Sequence, residues 1–336
     1  MNPIRVWNSF WFQPISARPL GLFRVLMGLI VLAHLALLSA DLDYWLTDHG
    51  MLQGNESRLI AGPLRFSALN WVQDPTSVHV FFAGTVVIAS LFTLGWHTRV
   101  VSVLLYLAIL SIHHRMVPTN CGPDNLLLLL IFYLMLAPSG AAFSLDARRE
   151  ARRRGTLAEP IIAPWAQRLI QLHLSLIYLN TAVLKCNGST WLGGTALHFV
   201  LNNAEVRRFD FTWLCQYPLI LNALTQGALF LEFALAFLLW SRATRPWIAC
   251  AGLALHAGIL PMINVPLFGE MMTAAYLTFL SPEEFDKLLH SLDFRRLFPA
   301  RRQAAAVLPG RFDEPHPAHH GPHAPVEADP TVRASH

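Results

Sequence analysis

Only two lysines occur in this chain of 336 residues, Lys185 and Lys287; every other permanently cationic side chain is arginine. Arginine keeps its proton in proteins, whereas a desolvated lysine amine can release it, so lysine is the residue to use where a proton must move. Lys185 closes the apolar run LIQLHLSLIYLNTAVL and opens into the polar stretch Cys186, Asn187, Gly188, Ser189, Thr190, Trp191. An amine at the mouth of such a run is a candidate general base. The alternative is that Lys185 carries its charge out to an interface along its apolar stem, as lysines at helix ends do, and the residues alone leave both open.

Other polar side chains gather at the same level. His113 and His114 end one apolar run, Asn120, Asp124 and Asn125 begin the next, and Glu270 opens a later one. The run before Lys185 carries two heptad-spaced rows, Gln171, Tyr178, Lys185 and His173, Asn180, Asn187. Residues two apart lie roughly 200° from each other around a helix, so this run is expected to be polar on both sides and central in a bundle. His113, His114, Asn120, Asp124, Asn125, Tyr178, Asn180, Asn187, Trp191 and Glu270 are therefore the pocket and supporting residues expected around Lys185. Glu232 is expected nearer the opposite side, in a structural pair with an arginine such as Arg24, and His256 as an interhelical hydrogen-bonder. The scattered His, Asp and Glu match no metal-ligand spacing, and no metal is expected.

The elements that position these residues follow from composition. Hydrophobic residues make up 54% of the chain and charged residues 14%, against about 25% charged in ordinary soluble domains. The apolar residues come in continuous blocks of membrane-crossing length rather than in alternation, which selects helices over a barrel. The expected fold is all-α, a polytopic transmembrane helical bundle of about eight spans: 19–40, 78–96, 99–116, 125–143 with an interruption at Pro138, 165–185, 217–240, 244–263 and a short last one at 268–280. Residues 1–18 read as an interfacial segment bearing Trp7, Phe10, Trp11 and Phe12, residues 19–285 as the helical domain, and 286–336 as a cytoplasmic tail. From about Ala300 the chain is rich in Pro, His and Ala with no apolar period, and is expected to be disordered.

Basic residues set the orientation. The connections after the second, fourth and sixth spans hold nine Arg, and those after the first, third, fifth and seventh hold six Lys and Arg over a greater length. By the positive-inside rule both termini are cytoplasmic and Lys185 faces outward. The net charge of +4 lies in loops that this rule explains, so nucleic acid is not an expected partner and membrane lipids are. Cys121, Cys186 and Cys215 fall on the outer side, where Cys121 and Cys186 are a candidate disulfide pair and free thiols are the alternative.

Three stretches carry a family resemblance. PLGLFRVLMGLIVLAHL with the following DHG, NCGPDNLLLLLIFYLMLAPSGAAFSLD, and YLNTAVLKCNGSTWLGGTALHFVL together resemble HTTM domains over roughly residues 15 to 285. That family groups bacterial membrane proteins with the membrane region of the vitamin K-dependent gamma-carboxylase. The resemblance places the carboxylase's catalytic lysine at Lys185, and so implies a lyase using a reduced naphthoquinone, vitamin K or menaquinol, on a secreted peptide or protein, in a bacterial inner membrane with the site facing the periplasm. Two departures bear on this: the carboxylase's active-site histidine aligns with Asp124 or Asn125, and its large lumenal region finds here only a short tail. Other relatives act with a partner in maturing secreted peptides, so a non-enzymatic maturation or export factor is the second reading. A transporter is a weaker third, since no internal repeat or pair of matched broken helices is visible.

Overall fold

The continuous apolar runs, several opened by proline in the first helical turn, fold as helices. The computed structural model describes residues 2–62, 65–72, 74–155 and 159–291, so the tail expected to be disordered lies outside the described residues. In chain order the elements are α1 (Pro3–Phe12), β1 (Ile15–Ser16), α2 (Arg18–Ser39), α3 (Leu42–Leu46), α4 (Gly54–Ala61), α5 (Pro75–Leu94), α6 (Thr98–Arg115) and α7 (Gly122–Leu136). There follow α8 (Leu145–Arg154), β2 (Ile161–Ile162), α9 (Trp165–Cys186), α10 (Ser189–Leu192), α11 (Ala196–Asn202), α12 (Pro218–Leu238), α13 (Arg245–Met262), α14 (Phe268–Ala275) and α15 (Pro282–Ser291). Helices α2, α5, α9 and α12 are long and apolar enough to cross a membrane. The all-helical class of the sequence reading stands, apart from the two-residue strands β1 and β2, which pair antiparallel and tie the entry of α2 to the entry of α9.

Element ends follow local chemistry. Asp74 caps α5 by accepting the Ser77 N–H at 2.9 Å, and Gly95 ends it in the left-handed region at φ 69°. A side chain at residue 95 would collide with the Arg24 guanidinium, so glycine is needed there for space as well as for conformation. Helix α7 stops at Leu136, ahead of Pro138, because a residue preceding proline is driven out of the α region. The span expected over 125–143 is thus a shorter helix and a folded-back turn.

Side-chain contacts define which ends meet. Arg24 in α2 donates to the carbonyl of Phe143 at 2.6 Å and reaches that of Thr93 at the end of α5. Trp240, just past α12, donates to Ser175 in α9 and stacks on Phe10 of α1, while Arg245 pairs with Glu284 of α15. These contacts gather one end of the bundle. At the other, His34 of α2 meets His113 of α6, and Lys185 of α9 meets α12. Tyr133 of α7 bonds His173 of α9 at 3.0 Å, which ties the last turn of α7 to the first half of α9. The core is built from Phe23, Met27, Val31, Phe92, Leu105, Ile109, Ile131 and Leu174. Val80, Val87, Leu104, Leu219, Phe230, Phe237, Trp247 and Leu253 point outward, an apolar exterior that suits hydrocarbon and not water.

The turn between α7 and α8 locks the Arg24 end. Ser144 caps α8 through the Ala147 N–H, and Asp146 accepts the N–H groups of His97 and Thr98 at 2.9 and 2.7 Å and the Thr98 hydroxyl at 2.7 Å. Partial burial opposes ionisation of Asp146, but these three hydrogen bonds outweigh it and hold the carboxyl below its ordinary value of 3.8. A carboxyl depressed on folding stabilises the native state above its unfolded pKa, and that contribution is lost as pH falls through the lower native value. Asp146→Ala, which removes all three acceptor contacts, is expected to lower stability at neutral pH by about 2 kcal/mol. The variant should also lose the part of the wild-type acid sensitivity that lies below about pH 4, measured as thermal midpoint against pH in detergent.

Candidate functional site

Lys185 stands in the last turn of α9, and its Nζ forms an ion pair with Oε1 of Glu232 from α12. The side chains are 24% and 11% exposed, so the pair is largely withdrawn from solvent with the lysine the more open. Thr181, one turn before Lys185, approaches the other carboxylate oxygen at 3.4 Å. The amine also lies 4.4 Å from the ring centroid of Trp191, a cation–π distance. Gln226 of α12 fixes that ring's backbone by donating to the carbonyls of Trp191 and Leu192 at 3.1 and 2.9 Å. Glu232 is therefore not Arg24's partner, as the sequence suggested; Arg24 is taken up by backbone carbonyls at the opposite end. Lysine at the end of one antiparallel helix meets a glutamate two-thirds of the way along its neighbour because its long stem reaches back toward the start of its own helix.

Two turns before Lys185 lies a buried phenol–imidazole–phenol cluster. Tyr178 of α9 shares hydrogen bonds with Nε2 of His256 from α13 at 2.8 Å and with the hydroxyl of Tyr276 at 2.5 Å. Gly252 makes the room, since a Cβ there would run into the Tyr276 hydroxyl. Thr181 connects the two groups, donating to the Tyr178 carbonyl at 3.0 Å while facing Glu232. His256 is thus an interhelical hydrogen-bonder, as expected. Glu270 opens α14 beside Gly269, where an added Cβ would crowd the His256 side chain, and its Oε2 is buried with no donor among the described residues.

The two polar rows of α9 do not both turn inward. Gln171 and Tyr178 are buried, Gln171 on the carbonyl of Thr278, but Asn180 and Asn187 are exposed together with Leu176, Val183 and Leu184. Helix α9 therefore has one outward face, contrary to the central position expected, and Asn180 and Asn187 do not face the Lys185 pair. The two rows lie roughly 200° apart around the helix, so with the Tyr178 row in the packed sector the Asn180 row turns out of it.

A second group collects at the same end. Nε2 of His113 (α6) and Nε2 of His34 (α2) are 3.4 Å apart with the rings edge to face, and an oxygen of Asp124 (α7) lies with both nitrogens inside a circle of 4.8 Å. Asn120 donates to the His113 carbonyl at 2.7 Å, and Asp124 closes a capping box by accepting the N–H and thiol of Cys121 at 2.9 and 3.2 Å. His114 turns away to the carbonyl of Phe66, and Asn125 is exposed. Cys121 and Cys186 are both free thiols and form no disulfide: the first is engaged by its own helix cap.

Two participants escape the sequence reading, His34 inside the first apolar run and Tyr276 in the last, and a third, Glu232, is picked out with the wrong partner. Each is a polar group at membrane depth, which is the signal that a partner on another helix must exist.

Apolar helices that turn hydrocarbon outward and hold an ion pair and a hydroxyl–imidazole network inside define a polytopic membrane protein. The model of the HTTM domain family matches residues 12–283, and the chain belongs to that family. No curated protein and no solved structure matches it.

Breaking a withdrawn ion pair leaves an unmatched charge, whereas removing both partners does not. Glu232→Gln is expected to destabilise the protein by about 3 kcal/mol, and the double variant Lys185→Met with Glu232→Leu by distinctly less. A double-mutant cycle on thermal unfolding in nanodiscs reads the coupling.

Proposed function

We propose that the chain is a quinol-dependent, carboxylase-like membrane enzyme in which Lys185 is the base that accepts the quinol proton. The observation that supports this best is the amine itself: it ends an apolar helix, remains partly open and lies beside the Trp191 face. The Glu232 carboxylate in contact with it works the other way, since an adjacent negative charge favours the ammonium. To act as a base the ammonium first passes its proton to Glu232, leaving a neutral amine beside a neutral acid. The free amine then takes the proton of a phenolic hydroxyl, and the charge that develops on Nζ is met by the Trp191 ring. An amine, a carboxyl and an indole face form a set suited to an apolar phenol, so the residues present fit a naphthoquinol. When bound, a reduced naphthoquinone such as vitamin K hydroquinone or menaquinol supplies, with oxygen, the strength of base needed to deprotonate a substrate glutamate before carbon dioxide adds. Thr181 orients Glu232, and the pair is largely withdrawn from solvent.

The same proposal includes eight spans in a bacterial inner membrane, both termini in the cytoplasm and Lys185 toward the periplasm, where a secreted peptide or protein is the acceptor. Alkaline phosphatase inserted within residues 203–205 should be active, and green fluorescent protein fused after His336 should fluoresce; the reverse pattern would invert the topology.

The second reading, a non-enzymatic factor for maturation or export of a partner peptide, draws on the ion pair too. A lysine whose only duty is to neutralise Glu232 would make this same contact. Turnover separates the two. Nanodisc-embedded protein supplied with vitamin K hydroquinone or menaquinol, oxygen and bicarbonate is expected to form quinone epoxide, Lys185→Ala none, and Glu232→Gln about 100-fold less than wild type. Folded wild type that turns over neither quinol would leave the maturation factor.

A further inference from the structure

We propose that His34, His113 and Asp124 form a binding site for a divalent transition-metal ion of the zinc class. The proposal does not rest on the quinol reading. Three helices, α2, α6 and α7, each contribute one side chain, and the ligating atoms all lie within 4.8 Å of one another. Two ligands about 2.0–2.1 Å from a tetrahedral ion are separated by roughly 3.3–3.4 Å. The imidazole nitrogens stand 3.4 Å apart, which matches that separation and exceeds the usual length of a direct N–H···N hydrogen bond.

The surroundings are arranged for an ion. Both nitrogens that face each other are Nε2, so one of the two histidines must turn a proton toward the other or the two must share a cation. Asp124 spends Oδ2 on the Cys121 cap and keeps Oδ1 for a further partner. The neighbouring Arg115 does not repel a cation: its guanidinium is bound to Asp48 and to the carbonyls of Leu46 and Leu52. His114 points to the Phe66 carbonyl and takes no part. Asn120 anchors the His113 backbone, the kind of support that holds a ligand in position. His34 and Asp124 are only partly buried, which gives an entry path, while His113 is buried and fixes the floor. Two nitrogens and one carboxylate leave a coordination position for water or for the carboxylate of a substrate.

No metal was expected from the sequence because the ligands are 79 and 11 positions apart along the chain and fall into no motif; only the packing of three helices joins them. Cobalt(II) is the probe, since it occupies such sites and absorbs visibly there. The full chain is used with His316, His319, His320, His323 and His336 of the tail replaced by asparagine, so that the tail cannot contribute. After chelator treatment, this protein in nanodiscs is expected to bind one equivalent of cobalt(II), with visible bands that zinc displaces. Asp124→Asn, which can still accept the Cys121 N–H, and His34→Gln should each weaken binding by about 100-fold or more. Thermal unfolding of the metal-free variants verifies that they are folded, and if one is not, the other decides. Absence of the bands in the parent protein, or unchanged affinity in a folded variant, overturns the site.

Discussion

A carboxylate carried into an apolar helix bundle must meet a positive charge or give up its own, and the Lys185–Glu232 pair is how this protein meets that constraint. Much of the surrounding arrangement depends on it. Helix α9 packs along α12 more extensively than any other described pair of elements, and the ion pair, Thr181 and the Trp240–Ser175 hydrogen bond mark their common line. Tyr178, His256 and Tyr276 lie two turns further in, hydrogen-bonded to one another, and Thr181 stands between the two groups, bonding the Tyr178 backbone carbonyl and facing Glu232.

The opposite end of the bundle answers a different requirement, that of satisfying backbone groups where helices stop. Arg24 covers the Phe143 carbonyl, Asp146 takes the free N–H groups at the start of α6, and Gln167 and Gln171 converge on the Thr278 carbonyl. In hydrocarbon each of these groups would cost several kcal/mol if left unmatched. The charged residues here act as structural caps, whereas at the Lys185 end Lys185 and Glu232 pair with each other across two helices.

Helix positions were largely legible in the sequence, because an apolar run of membrane length admits few other structures. The single outstanding lysine was legible for a similar reason: its chemistry differs from the arginines chosen everywhere else. Partners were not. Glu232 and Arg24 are both buried charges in apolar helices, and nothing along the chain says that one seeks a lysine and the other a carbonyl; interhelical depth decides it, and depth depends on tilt and stem length. Asn180 is misread because two rows roughly 200° apart around a helix do not share one packed sector. His34 escapes the reading because a histidine in an apolar run signals that a partner exists but not which, and only packing brings His113 and Asp124 beside it.

Each end of the bundle mixes short and long connections. At the Arg24 end α5 passes into α6 through residues 95–97 and α12 into α13 through residues 239–244, while α7 reaches α9 by the longer stretch 137–164 containing α8. At the Lys185 end the chain spends residues 40–74 and 187–217 on excursions containing α3, α4, α10 and α11. Short turns transmit any inserted residue directly into helix register, whereas a long excursion absorbs it locally. The long excursions are therefore where an insertion can be taken up with the register of the spanning helices unchanged.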